Sequence, residues 1–332
     1  MAKVKGVFLL NDYGLNRIYG DDELDAIASL VQIERRPVRL DDPADSELLA
    51  EAEVAFSGWG APVLDEDLLR RMPKLKALFY GAGTVRYMIT DAFWERGIRL
   101  TSAYVANARP VAEFTFAQII LALKKTWQQS LHIREAKAWG RQWDMPGAYF
   151  GSRIGVVSLG AIGRMVCERL TALDVEVFAY DPFVSDEDMR KIGARKASLN
   201  KLCETCDVIT LHAPQLDETI GMIREEHFKM MKPGATIINT ARGAIIDHPA
   251  MIKVLQERTD IVALLDVTDP EPPEPGSLLY TLPNVVMTPH IAGSMGRECR
   301  RMARLAIDEC RRYLKNESAL HPITIDNFSR LA

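Results

Sequence analysis

Long hydrophobic runs are the first thing this sequence lacks. The N-terminal "MAKVKGVFLLND" holds an apolar run of only five residues, far short of a secretory core or a membrane span. No later run reaches a spanning length. Cysteine is sparse and odd in number, at five, which excludes a disulfide framework and fits a reducing cytoplasm. Cys203 and Cys206 form a lone C-x-x-C in "KLCETCDVITLH", but no second such pair and no His pair completes a zinc site, so no metal is expected. They read as thiols closing a helix. A charge excess of one sign is missing too: 41 Lys and Arg stand against 45 Asp and Glu, for a net charge of -4. This balance gives no reason to expect nucleic acid or an anionic membrane as partner. Internal repeats and low-complexity tracts are also absent, and a small molecule is the partner that remains.

What is present is a chain of 332 residues with 48% hydrophobic content, enough to bury a sizeable core and long enough for two domains. From residue 153 onward, Val- and Ile-rich runs alternate with helical patterns: "RIGVVSLG", "VEVFAYDP", "DVITLHAP", "ATIINTAR", "IVALLDVT" and "VVMTPHIA". Continuous apolar runs of this kind are strands buried on both faces, and their spacing suits βαβ crossovers. The natural assembly is a six-stranded doubly wound sheet. Earlier, "VKGVFLLND", "PVRL", "AEVAFSGWG", "LKALFYGAG" and "IRLTSAYV" supply the strands of a smaller α/β domain. Between the sets, "RPVAEFTFAQIILALKKTWQQSLHIREA" reads as one helix, apolar nearly all round and therefore buried, either within the chain or against a second copy. The final helix, "GSMGRECRRMARLAIDECRRYLKN", offers Met302, Leu305, Ala306 and Tyr313 to a core, and after it the chain can return to the first domain.

A phosphate-binding turn is suggested by "GVVSLGAIGRMVCERL", although one glycine of G-x-G-x-x-G is missing and Ser158 stands in its place. Gly160 and Gly163 keep the close backbone approach to a pyrophosphate and the packing of helix on strand. Ser158 carries a Cβ into the tight turn. The fingerprint is completed by Asp181, about 20 residues on, where an acidic side chain can accept from both ribose hydroxyls and repel a 2′-phosphate. NAD is therefore expected over NADP.

Four of the buried runs end on a polar residue: His212, Arg242, Asp266 and His290. Parallel strands share a direction, so these groups gather at the carboxyl edge of the sheet, where ligands bind. Glu271, in "TDPEPPEPG", follows Asp266 by five residues and reaches the same edge. Arg242 can grip a carboxylate through two hydrogen bonds. His290 can lend a proton to a carbonyl oxygen while hydride reaches its carbon, and Glu271 can hold the other ring nitrogen. His212 reads as a wall beside the cofactor or as a packed strand end.

In order along the chain, "SLGAIG", "YDP", "LHAP", "NTARGAIID", "LDVTDPEP" and "TPHIAG" resemble the blocks of the D-isomer-specific 2-hydroxyacid dehydrogenases. The resemblance implies a Rossmann-type doubly wound domain, residues 107–297, inserted into a smaller flavodoxin-like α/β domain built from 1–106 and 298–332, and a homodimer. It implies a 2-oxo or 2-hydroxy acid substrate, with Arg242 on the acid and Glu271 and His290 as the proton relay. NAD would meet Gly160, Ala161, Ile162, Gly163, Asp181, His212, Ala213, Thr240, Ala241, Asp266 and Gly293. "YGAGTVRYM" would bring Ala82, Gly83 and Thr84 to the substrate carboxylate, and "NARPVAEFTFA" would bring Asn107 near it, with Glu113 at the base of the interdomain helix. Phe114 replaces the usual histidine there. A second reading is an NAD(H)-sensing protein of the dehydrogenase-like corepressor type, disfavoured by the absence of a disordered tail or basic patch. Formate oxidation is disfavoured by Glu271, where that branch carries glutamine. Trp59, Tyr80, Tyr104, Trp139 and Trp143 are open to pocket or packing roles, and Arg297 to a second anionic group.

Overall fold

A computed structural model describes residues 3–139 and 149–328. Trp143 lies outside the described residues. The chain divides into two compact units, one of Met1–Ala108 with Ser294–Ala332 and one of Arg109–Gly293.

In the first unit, β1 (Gly6–Leu9), β2 (Val54–Ser57), β3 (Ala77–Tyr80) and β4 (Arg99–Ser102) pair in parallel in chain order. The tail strand Pro322–Ile323 pairs antiparallel with β4. Every residue of β1, β2 and β3 is buried, as expected of strands covered on both faces. Phe8, Phe56 and Phe79 form an aromatic row through this core, with ring centroids 6.0 and 5.4 Å apart. The helix Cys299–Leu314 buries Met302 and Ala306 against it, with Leu305 and Tyr313 half-buried at the margin. "PVRL" is not a strand. Only an isolated bridge joins Phe8 to Pro37, because proline has no N–H to give to a ladder.

The second unit holds β5 (Ser152–Val157), β6 (Val175–Tyr180), β7 (Arg195–Lys196), β8 (Val208–Leu211), β9 (Thr236–Asn239), β10 (Val262–Leu265) and β11 (Val285–Met287). The order is β11-β10-β9-β8-β5-β6-β7, all parallel, a doubly wound sheet that reverses direction between β5 and β8. Seven strands stand where the apolar runs predict six. The extra one, β7, is two exposed charged residues on the sheet edge and carries no hydrophobic signal. The helical stretch also differs from its expectation, since it forms two helices, Tyr104–Leu123 and Thr126–Ala136. Lys125 breaks it with φ 54° and is itself buried, its ammonium donating to the Gly234 carbonyl. The second helix has no fully buried residue. Cys203 and Cys206 are buried at the end of the helix Leu199–Thr205, and burial pushes both thiols up to about 12.

The turn after β5 shows the consequence of the missing glycine. Ser158 has φ 74°, the left-handed region that costs a side-chain-bearing residue roughly 1–2 kcal/mol. It is held there because its N–H donates to Tyr180 O at 2.7 Å and its carbonyl lies under the helix Ala161–Leu170. A Cβ on Gly163 would sit 2.0 Å from the Ser158 oxygen, so this glycine sets the approach of helix to strand. Ser158→Gly is expected to raise the melting temperature by about 2–4 °C. Gly163→Ala should lower stability by about 1–3 kcal/mol. Thermal melts followed by circular dichroism check both.

Candidate functional site

The strand register sets the geometry of the second unit's carboxyl edge. Leu211, Asn239, Leu265 and Met287 are aligned across β8 to β11, so the residues that follow them emerge at one level. Val157 pairs with Leu211, so the Ser158–Gly163 turn and His212 flank the point where the sheet reverses.

Several observations along this edge fit a dinucleotide. Gly160 caps the helix Ala161–Leu170 without a side-chain partner, and nothing lies within 4 Å of its missing Cβ. The first-turn N–H groups of Ala161, Ile162 and Gly163 are thus free of a cap, the arrangement that receives a phosphate. His212 is buried, with Nε2 at 3.1 Å from Thr210 Oγ1 and Nδ1 without a partner. Burial pushes its pKa down to about 3, so it is a neutral ring offering one nitrogen at the strand end.

Asp181 ends β6 as the sequence requires, but its carboxylate is partly committed. Oδ2 accepts from Leu159 N at 2.8 Å, and Oδ1 accepts from Phe183 N at 2.9 Å and Val184 N at 3.2 Å. A carboxylate has about four acceptor positions, so one remains for a ribose hydroxyl where the sequence suggests a grip on two. The turn that follows the strand uses the others.

Asp266, read from the sequence as a cofactor contact, is engaged within the protein itself. It is 3% exposed, and its two oxygens accept from Thr288 Oγ1 at 2.6 Å, Ile291 N at 2.9 Å and Ala292 N at 2.9 Å. Its carbonyl takes the N–H of His290 at 2.9 Å. Asp266 therefore ties down the loop that carries His290, whose backbone has φ 53°. Nothing in the apolar run "IVALLD" distinguishes this anchoring from ligand contact.

His290 Nδ1 lies 2.7 Å from Glu271 Oε1, both side chains about half exposed. Arg242 follows β9 and is half-buried, with Nη1 donating to Ala241 O at 2.6 Å. No carboxylate pairs with it among the described residues. Burial lowers its pKa, and the charge of Glu271 acts in the opposite direction. The loops that carry these groups touch: a Cβ on Gly243 would fall 2.0 Å from the Thr268 carbonyl. Asn239, which sequence reasoning passes over, braces the turn. Its Nδ2 donates to Arg242 O at 2.8 Å, and its Oδ1 accepts from Ala241 N at 3.0 Å. A lone Asn ending the buried run "TIIN" was the available signal. Ala213, Thr240 and Ala241 are buried along the same edge, Gly293 is half-buried, and Thr240 Oγ1 is 2.9 Å from Thr115 Oγ1.

In the first unit, the turn after β3 has its carbonyls occupied. Ser102 Oγ lies 3.0 Å from Ala82 O and 2.5 Å from Gly83 O, while Gly83 and Thr84 stay half-buried. Asn107 Oδ1 accepts from Ser294 N at 3.0 Å, and its Nδ2 sits 3.6 Å from the missing Cβ of Gly83. Glu113, in the second unit, is exposed and paired with Arg169 at 3.4 Å, and Phe114 beside it is half-buried. Of the aromatic candidates, Tyr80 is core, Trp59 and Tyr104 are half-buried, and Trp139 is exposed, as is Arg297. No group of metal-ligating side chains occurs among the described residues, and no helix among them is long and apolar enough to cross a membrane.

Residues 116–292, more than half of the chain, match the family model for the D-isomer specific 2-hydroxyacid dehydrogenase, NAD binding domain. The chain is 36% identical over 231 residues to a D-3-phosphoglycerate dehydrogenase of Archaeoglobus fulgidus, covering 70% of this chain and 44% of that protein. It spans about half the length of the phosphoglycerate dehydrogenases it matches. It is 30% identical over 258 residues to a glyoxylate reductase of Korarchaeum cryptofilum, covering 76% of this chain and 77% of that protein. In fold it is similar to a D-isomer specific 2-hydroxyacid dehydrogenase from Lactobacillus delbrueckii ssp. bulgaricus in its NAD complexed form, with a TM-score of 0.78, 21% identity, and coverage of 96% of this chain and 99% of the other. With the matched model, these likenesses and the turn-and-edge geometry in agreement, the chain belongs to the D-isomer specific 2-hydroxyacid dehydrogenase family, and its second unit holds that family's NAD-binding domain.

Proposed function

We propose that this chain interconverts a 2-oxo acid and a D-2-hydroxy acid with NAD. The observation that carries the reading is the 2.7 Å contact of His290 with Glu271 on the same sheet edge as Arg242, a guanidinium without a carboxylate partner among the described residues. NAD, when bound, supplies hydride to or takes it from the substrate's C2. The first-turn N–H groups after Gly160 would hold its pyrophosphate, Asp181 its adenosine ribose, and the edge residues His212, Ala213, Thr240, Ala241, Asp266 and Gly293 would line it.

Arg242 binds the oxo acid through its carboxylate and carbonyl oxygens, the planar fork matching planar acceptors. His290 gives a proton to the carbonyl oxygen during reduction and takes it back during oxidation. Glu271 fixes the ring through Nδ1, which leaves Nε2 as the nitrogen that meets substrate. Taken by itself, the first unit offers the N–H groups of Ala82, Gly83 and Thr84 as donors for a carboxylate, with Asn107 beside Gly83. The names of the relatives favour a small polar acid, whether phosphorylated like phosphoglycerate or minimal like glyoxylate. We place the protein in the cytoplasm on its buried, unpaired cysteines. A homodimer accounts for apolar side chains left over by the second unit: Phe114, Ile120 and Leu121 are half-buried, Trp139 and Phe150 are exposed, and the helix Thr126–Ala136 has no buried residue.

The first test is loss of NADH absorbance with purified protein across a panel of 2-oxo acids. Turnover is expected; tight NADH binding without turnover of any acid favours the sensing protein instead. His290→Asn should lower kcat by about 10²–10⁴-fold with a smaller effect on KM, whereas Arg242→Lys should both raise KM and lower kcat. Wild-type kinetics in either variant would falsify its assigned role. Asp181→Asn is expected to reduce the preference for NADH over NADPH by about tenfold, read as the ratio of their kcat/KM values. Light scattering should return a particle of twice the 37.2 kDa chain mass.

A further inference from the structure

The first unit contains a cation that neither its core nor its ion pairs explain. Arg17, on the helix Asp12–Ile18, is half-buried, and its guanidinium lies near two rings, 5.2 Å from the Tyr13 centroid and 5.3 Å from that of Trp59. Nη1 donates to the Tyr13 hydroxyl. No carboxylate pairs with Arg17 among the described residues, because the neighbouring acids are already engaged. Glu23 takes Arg300 and Arg304, and Asp12 faces Arg39.

The stack is built rather than incidental. A Cβ on Gly14 would meet the Trp59 carbonyl at 1.9 Å, and one on Gly60, where φ is 80°, would meet Asn11 at 2.2 Å. Asn11 caps the helix through Gly14 N at 2.8 Å. The loop after β2 is therefore clasped to the start of this helix, which holds Trp59 against Arg17.

That loop stands beside the turn after β3. Ser57 and Tyr80 end adjacent strands in register, and the Tyr87 hydroxyl is 3.1 Å from that of Tyr80 and 3.5 Å from Gly58 O. A second route leads to the same place. Burial raises the pKa of the Cys299 thiol and the Arg17 charge lowers it, Cys299 Sγ donates to Ser294 O at 3.4 Å, and Ser294 N donates to Asn107 beside Gly83.

We propose that Tyr13, Arg17 and Trp59 form a subsite for a second anionic group on the substrate, a carboxylate or phosphate at the far end of an oxo acid whose first carboxylate meets the Ala82–Thr84 turn. With two rings beside the guanidinium and only Nη1 given to the Tyr13 hydroxyl, its remaining N–H groups are available to a two-oxygen acceptor. This inference rests on the oxo-acid reading above and adds the charge of the substrate's tail.

The test compares 2-oxoglutarate, oxaloacetate and phosphohydroxypyruvate with pyruvate and 2-oxobutyrate in wild type, Arg17→Gln and Arg17→Lys. The wild type should favour the doubly charged acids. Arg17→Gln should lower the ratio of kcat/KM for these over the singly charged acids by about tenfold or more, chiefly through KM, and Arg17→Lys should restore part of it. Carboxylate and phosphate tails are told apart by which probe loses most. An equal loss for all acids, or a wild-type preference for pyruvate, overturns the subsite. If no acid is reduced, the oxo-acid reading fails, and the subsite is judged by Trp59 fluorescence, taken as the difference from Trp59→Phe. A saturable response to 2-oxoglutarate or phosphohydroxypyruvate that Arg17→Gln abolishes supports it; the same response to pyruvate, or none, overturns it.

Discussion

The grip of Asp266 on the loop from Thr288 to Ala292 is the constraint on which the second unit's site depends. Three hydrogen bonds to one buried carboxylate, and a fourth from His290 N to its carbonyl, hold His290 in a left-handed backbone conformation that is uncommon for residues with a side chain. Without that hold the imidazole would lose its place opposite Glu271. A buried carboxylate satisfied this fully is a strong anchor, since charge-assisted bonds to backbone N–H groups are roughly twice as strong as neutral ones. Asn239 acts in the same way one strand over, where it fixes the turn that presents Arg242.

These anchors explain what the sequence does and does not reveal. Continuous apolar runs announced parallel strands because burial on both faces leaves no polar alternation, and β5, β6, β8, β9, β10 and β11 follow from them. The two-residue β7 carries only charge, and the bridge at Pro37 carries a strand-like composition without the N–H that a ladder needs. Polar residues closing apolar runs correctly marked the sheet edge. Pattern alone does not say whether such a residue faces a ligand or its own chain: Asp181 accepts from three main-chain N–H groups, and Asp266 from two and the Thr288 hydroxyl. The break at Lys125 escaped for a related reason, because a lysine buried by its stem and bonded to a distant carbonyl is a tertiary fact.

The first unit was legible in its apolar strand runs, whereas most of its glycine contacts were not. Gly83 stands in a turn whose carbonyls Ser102 has engaged, which leaves the N–H side of the turn as its polar face. Gly14 against the Trp59 carbonyl and Gly60 against the Asn11 side chain clasp a loop to a helix, contacts between positions far apart along the chain. The approach of Trp59 to Arg17 depends on that clasp and so lay beyond any reading of spacing along the chain.

If His290 is the acid that we propose, the exposure of the His290–Glu271 pair bears on how it is recharged. With 49% of the histidine side chain and 43% of the glutamate side chain open to water, a proton given up in one cycle can be replaced from bulk solvent at the imidazole itself. No relay of buried side chains has to carry it in. Proton supply is then set by solvent access and buffer, and an isotope effect from deuterated water should arise in the transfer to substrate, with no slow step of internal proton conduction to add to it.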